Sequence, residues 1–79
     1  MDEQIKILLF GILAEKAGTA EVFLVNAKDT DTLMINLKKS YPDFASLKFS
    51  VAINKKIITA NTLLGQNDEI ALLPPFSGG

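Results

Sequence analysis

One helix, set between short strand-like segments, most constrains the fold of this chain. Asp29 and Asp31 supply a capping side chain and negative charge where the positive end of the helix dipole would lie. Two lysines occupy the last turn, and Pro42 prevents the helix from continuing. Its apolar face consists of four residues at helical spacing: Leu33, Met34, Leu37 and Tyr41. The sequence therefore predicts a helix from about Asp29 to Tyr41.

The rest of the chain carries strand patterns of alternating, branched or aromatic residues. They predict five strands: Ile5–Phe10, Glu21–Val25, Phe49–Ile53, Ile57–Ile58 and Glu69–Leu73. The segment Gly11–Thr19 is expected to be a loop with one helical turn at Leu13–Ala17, and Asn54–Lys56 to form a hairpin turn. After Lys6 the first strand is apolar on both faces, which predicts a central strand covered on two sides. Leu63 and Leu64 are expected to pack against the core.

Strands with one helix in a chain of 79 residues favour an α+β fold. This order predicts a β-grasp (ubiquitin-like) architecture, a mixed sheet with one main helix packed on one face. The first and last strands would lie side by side and parallel in the middle of the sheet. We expect a β-grasp domain over residues 1–73 and an extended C-terminal diglycine tail over residues 74–79.

The residue types present disfavour an enzyme that works through its own side chains. The chain has no histidine and no cysteine, so it lacks the usual near-neutral base and the usual soft nucleophile. Its acidic residues are explained as solvated faces, helix starts or turns, and its glycines do not form a phosphate-binding loop. The sequence predicts no metal site and no cofactor bound by the protein itself.

Charge and hydropathy disfavour two classes of partner. The net charge is −1, and no basic patch marks a nucleic-acid or anionic membrane surface. The apolar run Ile7–Ala14 follows acidic residues and is far shorter than the roughly 20 residues that span a bilayer. These features predict no nucleic acid, no membrane and a cytoplasmic location.

The chain end, "LLPPFSGG", contains the one reactive group that remains, the α-carboxylate of Gly79. That carboxylate is anionic at neutral pH and a poor electrophile, so another protein must activate it. Gly78 and Gly79 carry no side chain and could enter a narrow active site. Pro74 and Pro75, directly after Leu73, favour an extended backbone that reaches on the order of 20 Å. Phe76 is interpreted as an anchor for a partner, with capping of the core as the alternative.

Four segments of the sequence resemble the small subunit of molybdopterin synthase, the MoaD-type sulfur carriers. They are "IKILLFGILAEKAG", "YPDF", "AIN" and, most specifically, "NDEIALLPPFSGG". The related carriers of thiamine synthesis also end in diglycine but typically lack the proline pair. The chain has no arginine, and Lys16 is the cation of its first loop, where those relatives often place basic residues.

The resemblance implies a role in molybdenum cofactor synthesis. Gly79 would be adenylated by an E1-like enzyme that uses ATP, converted to a thiocarboxylate, and used to donate sulfur to a cyclic pyranopterin precursor. The partners implied are that adenylating enzyme and the large subunit of molybdopterin synthase, in a heterotetramer. Leu73, Pro74, Pro75, Phe76 and Gly78 would bind the partners. Two alternatives remain open: a ubiquitin-like protein modifier and a thiamine-pathway sulfur carrier.

Overall fold

The computed structural model describes residues 4–75, except residues 26 and 66. The chain forms five strands and two α-helices, with a 3₁₀ helix after the longer α-helix and the last three strands in succession. Their bounds are β1 (Gln4–Leu9), α1 (Ile12–Ala17), β2 (Glu21–Val25), α2 (Thr30–Ser40), the 3₁₀ helix (Pro42–Ser46), β3 (Ser50–Ile53), β4 (Lys56–Ile58) and β5 (Ile70–Leu73). None of the described helices has the length and apolarity that a bilayer crossing demands.

The five strands form one mixed sheet in the order β2-β1-β5-β3-β4. β1 and β5 are parallel, with Ile7 opposite Ile70, and every other neighbouring pair is antiparallel. The first and last strands therefore lie side by side within the sheet, with β5 at its centre. This is the β-grasp architecture, as the order of sequence patterns predicts.

The core lies between one face of this sheet and the helices. Its buried residues are Ile5, Ile7, Leu9, Leu13, Val22, Ala27, Leu33, Leu37, Phe44, Ile53, Ile70 and Leu72. The predicted main helix is confirmed as α2, because the Asp29 side chain accepts a hydrogen bond from the Thr32 amide at 2.9 Å and so caps it. The 3₁₀ helix after Pro42 was not predicted, and it contributes Phe44, which is fully buried.

The prediction that both Leu63 and Leu64 pack against the core is wrong for Leu63. Leu63 is 78% exposed, and only Leu64 packs against the core. The segment that carries both leucines runs beside the start of α2. Leu63 forms an isolated antiparallel β-bridge with Asp29, and the Leu64 amide donates a hydrogen bond to the Lys28 carbonyl at 2.9 Å. Consecutive residues of such an extended segment point in opposite directions, so only one of the two leucines can face the core.

The prediction that β1 is covered on both faces is also wrong, because the core covers only one of them. Ile5, Ile7 and Leu9 are buried, whereas Leu8 is half-buried and Phe10, just after the strand, is 46% exposed. The helices within residues 4–75 place their buried side chains in the single core cluster, so none of these helices covers the opposite face. The apolar side chains on that face therefore do not pack against any helix of the described chain.

Candidate functional site

The predicted tail leaves the domain from the centre of the sheet. Leu73 is the last residue of β5, Pro74 and Pro75 follow it directly, and exposure rises from half-buried Leu73 to exposed Pro75. The other predicted site residues, Phe76, Gly78 and Gly79, lie outside the described residues. Three of the six predicted site residues are therefore described, and they follow one another in the chain where the central strand ends.

Gly11 is a further residue at this point that sequence reasoning missed. It follows β1, and its backbone has φ +58° and ψ −131°, a conformation that L-residues with a side chain rarely adopt. A Cβ atom built on Gly11 would lie 3.0 Å from Cγ of Pro74. Gly11 therefore lets the first proline of the tail pack closely against the chain that leaves β1. The sequence signal that could have identified Gly11 is its position directly after the predicted first strand, which is parallel to β5.

The sheet face opposite the helices carries an apolar surface next to the tail. One row of side chains crosses four strands, because Leu8 lies opposite Ala71, Ala71 opposite Ala52, and Ala52 opposite Ile57. Leu73, two residues beyond Ala71, lies on the same face and leads into Pro74. We call these five residues, Leu8, Ala52, Ile57, Ala71 and Leu73, the outer patch. It joins the base of the tail without a break.

The outer patch has a shallow centre and a charged border. Ala52 and Ala71 pair across adjacent strands, while the larger Leu8 and Ile57 stand at the two ends of the row. At the β2 side, the Lys6 ammonium and the Glu21 carboxylate form an ion pair at 3.0 Å, and both side chains are about half exposed. An apolar centre with a polar rim is the usual anatomy of a protein interface.

Hydrogen bonds hold two of the described carboxylates, Asp29 and Asp68, in the ionised form. The amide of Gly65 and the side chain of Asn54 donate hydrogen bonds to Asp68, which lowers the pKa of its carboxyl. Hydrogen bonds from Thr32 and Asn61 likewise lower the pKa of Asp29. A lowered pKa keeps a carboxylate ionised at neutral pH, the opposite of what a proton donor needs. Among the described residues, no group of three or more acidic side chains could hold a metal ion.

An open groove of about 370 Å³ lies between the first turn of α2 and the β3–β4 hairpin. Met34, Val51 and Ile58 contribute apolar surface to it, and Asp31 alone is titratable among the described residues that line it. A single exposed carboxylate beside apolar surface offers neither a paired acid and base nor a phosphate cradle. In the described chain, the features suited to function are therefore the tail base and the outer patch.

Comparison with known proteins found matches in both sequence and structure. The model of the ThiS family matches residues 7–79. A relative from Dictyostelium discoideum, named molybdopterin synthase sulfur carrier subunit, is 38% identical, and the alignment covers 100% of both chains.

Two solved structures share the fold over nearly their whole length. The small archaeal modifier protein 1 from Methanosarcina acetivorans superimposes with a TM-score of 0.81 at 28% identity, covering 100% of this chain and 99% of the other. A chain of the Helicobacter pylori complex of subunits 1 and 2 of molybdopterin-converting factor superimposes with a TM-score of 0.72 at 28% identity, covering 96% and 99%.

Proposed function

This chain belongs to the ThiS family, and from that premise we propose that it is the sulfur carrier subunit of a molybdopterin synthase. The observation that carries the proposal is the position of the tail base: the central strand β5 ends at Leu73, Pro74 and Pro75 follow it directly, and the sequence continues through Phe76 and Ser77 to the diglycine. The relative from Dictyostelium discoideum bears the corresponding name and aligns over its full length. The proline pair favours the molybdopterin pathway over the thiamine pathway.

The proposed chemistry takes place on the α-carboxylate of Gly79. An E1-like enzyme joins this carboxylate to the α-phosphorus of ATP, and pyrophosphate leaves. A sulfur nucleophile at the oxidation level of sulfide then displaces AMP, which yields the thiocarboxylate. Transfer of that sulfur to a cyclic pyranopterin precursor, with water supplying the replacement oxygen, returns the carboxylate for another cycle. The carrier supplies the carboxyl end, and the partners supply nucleotide, base and substrate pocket.

The outer patch is the proposed docking surface for the large synthase subunit. It lies beside the base of the tail, so a partner seated on it would hold the start of the tail at a fixed place. Leu73 belongs to both features, which ties the position of the patch to the direction of the chain end. The Helicobacter pylori structure contains such a pair of subunits in complex. The same surface could serve the activating enzyme, since the two encounters occur in turn.

Intact-mass spectrometry tests the carrier chemistry directly. The protein is expressed with an E1-like adenylating enzyme, then given ATP and a sulfur donor, and its mass is measured. We expect one oxygen to be replaced by sulfur. An unchanged mass, under conditions that convert a known carrier, would contradict the proposal.

A chain extended by one alanine after Gly79 provides the matched control. It retains the folded domain and moves the carboxylate one residue farther from the domain. We expect it to melt at the same temperature as the natural chain and to remain unconverted. Conversion of the extended chain would show that the position of the free end is unimportant.

Phe76→Ala separates the two interpretations of that side chain. If Phe76 anchors a partner, its loss weakens binding to the large subunit by about 2 kcal/mol or more and leaves the melting temperature nearly unchanged. If it caps the core, the variant melts at a lower temperature and binds as before. Isothermal titration and thermal melting on the same preparation give both values.

Protein modification is a second candidate function. The likeness to a small archaeal modifier protein favours it, since that protein shares the fold over the whole chain at 28% identity. Both functions begin with the same activated carboxyl, and they differ in the acceptor, which is sulfur in one case and a lysine amine in the other. The last lysine of this chain is Lys56 and the chain has no arginine, so tryptic digestion of a tagged protein would leave residues 57–79 attached to the target lysine. That remnant on lysines of other proteins, found in cells that make this protein, would support tagging. A carrier alone leaves no such remnant.

A further inference from the structure

Among the described strands, β2 forms one edge of the sheet, and none of them pairs with its outer side. Within the described residues it pairs with β1 alone, while β4 forms the other edge. β2 has five residues, whereas β4 has three. An edge strand presents a row of backbone amide and carbonyl groups that another strand can pair with.

The direction of these groups follows from one hydrogen bond. The Leu9 amide donates to the Ala20 carbonyl at 2.8 Å, so the backbone groups of Ala20 point toward β1. In an antiparallel ladder this direction alternates, so Val22 and Leu24 also bond to β1. The backbone groups of Glu21, Phe23 and Val25 therefore point away from the sheet.

A contact at Thr19 supports this assignment. Its hydroxyl donates to the Glu21 carbonyl at 3.1 Å and accepts from the Glu21 amide at 3.4 Å. The exposed Thr19 side chain thus forms hydrogen bonds with the outward backbone amide and carbonyl of Glu21, which do not bond to β1. The hydroxyl is a local substitute for a missing neighbouring strand at one end of β2.

The side chains of β2 do little to prevent pairing with another strand. Soluble proteins usually protect such edges with lysine, proline, a bulge or an inward charge. The sequence of β2, "EVFLV", contains no proline, glycine or lysine, and its one charge lies at the first position. Phe23, at the middle of the strand, is 54% exposed. Strand-forming segments of low charge pair readily when exposed.

One register makes the edge complementary to itself. In antiparallel pairing of two copies centred on Phe23, that residue lies opposite its counterpart, and Glu21 lies opposite Val25. All three positions with outward backbone groups then face each other, and the two Glu21 carboxylates lie at opposite ends. Registers shifted by two residues pair fewer positions. The centred register therefore combines the most hydrogen bonds with the least repulsion.

We propose that this protein self-associates through β2, in a two-fold dimer whose sheets join edge to edge with Phe23 at the axis. The axis is perpendicular to the joined sheet, so both outer patches lie on the same side of it. Because the two copies run in opposite directions, their β5 strands point to opposite ends. β2 contributes no residue to the outer patch, so each copy keeps its docking surface. This inference does not depend on sulfur carriage.

Sedimentation equilibrium on the full-length protein between about 10 µM and 1 mM, within the range of weak interfaces, is the first test. We expect the average mass to rise above that of the 8.6 kDa monomer toward twice that value. Phe23→Lys places two like charges at the axis and should keep the protein monomeric. Ile57→Lys is the matched control, because Ile57 is 55% exposed in the other edge strand and should leave association unchanged. Thr19→Val removes the local substitute and should strengthen association.

Disulfide trapping tests the register. The chain has no cysteine, so single substitutions report on one position each. A hydrogen-bonded pair has its Cα atoms about 5.5 Å apart, within the range that a disulfide spans. Under mild oxidation Phe23→Cys should form a covalent dimer much faster than Ile57→Cys or Glu21→Cys. A protein that stays monomeric at 1 mM overturns the proposal, as does association that Ile57→Lys abolishes and Phe23→Lys spares. Equal trapping rates at the three positions would overturn the register.

Discussion

At the scale of single residues, Gly11 and Gly18 show what a side chain would cost beside the tail and away from it. Both have a positive φ, but Gly18 lies in the left-handed region (φ 76°, ψ 14°), whereas Gly11 (φ 58°, ψ −131°) does not. A Cβ on Gly11 would also approach Pro74 at 3.0 Å, whereas a Cβ on Gly18 meets nothing within 4 Å. We expect Gly11→Ala to lower the free energy of unfolding by about 1–3 kcal/mol, more than Gly18→Ala, because backbone strain and the contact with Pro74 both oppose it. Urea unfolding of the two variants gives the comparison, and equal losses would contradict this account.

Asp68 links stability to pH. Its pKa is lowered by hydrogen bonds from the Gly65 amide and the Asn54 side chain in the folded protein. Its contribution is therefore complete above the unfolded pKa, about 3.9, and is lost as pH falls through the folded pKa. Asp68→Ala should lower the melting temperature at pH 7 and change it less at pH 2. Asp43→Ala, an exposed aspartate of the 3₁₀ helix, is the control. An Asp68→Ala deficit as large at pH 2 as at pH 7 would contradict this account.

At the scale of elements, Asn61 joins the segment after β4 to the start of α2. Its side-chain oxygen accepts hydrogen bonds from the Thr30 hydroxyl at 3.1 Å and the Asp31 amide at 2.9 Å. Thr30 is 4% exposed, so the loss of this acceptor costs its buried hydroxyl a hydrogen bond. We expect Asn61→Ala to destabilise the protein by about 1–3 kcal/mol in urea unfolding. Asn67→Ala, another exposed asparagine, should change little.

The predictability of each element follows from how local its determinants are. α2 was predictable because its cap, apolar face and terminating proline all lie within the helix or beside it. The side-chain direction of Leu63 was not, because the segment from Thr62 to Leu64 takes its conformation from hydrogen bonds to residues more than 30 positions away. The 3₁₀ helix also escaped sequence reasoning, since Pro42 marks only where α2 ends.

At the scale of the whole molecule, we expect a substitution in the outer patch to weaken partner binding and to leave thermal stability nearly unchanged. Leu8→Lys places a charge at one end of the patch, on a half-buried position away from the core. We expect it to weaken binding to the large synthase subunit by about 2 kcal/mol or more. The melting temperature should stay within a few degrees of that of the natural chain. Gln4→Lys, on the same face of the same strand, is the control and should bind normally.

The part of the candidate site that is contiguous in the sequence was predictable, and the part that strand pairing assembles was not. The tail could be found from the sequence because its prolines and glycines are consecutive. The outer patch could not, because its five members come from β1, β3, β4 and β5 and meet only through strand register. The apolar second face of β1 was visible in the sequence, but it indicated burial within the domain and not a surface for another protein.

The parallel pairing of β1 with β5 has a consequence for how the protein is made. Ile7 and Ile70 are neighbours in the sheet although they are 63 positions apart in the chain. The centre of the sheet can close only after nearly the whole polypeptide has left the ribosome, so an unfinished copy cannot complete its fold. Synthesis that stops early thus yields no native domain. Only fully translated molecules can pair β1 with β5 and complete the sheet.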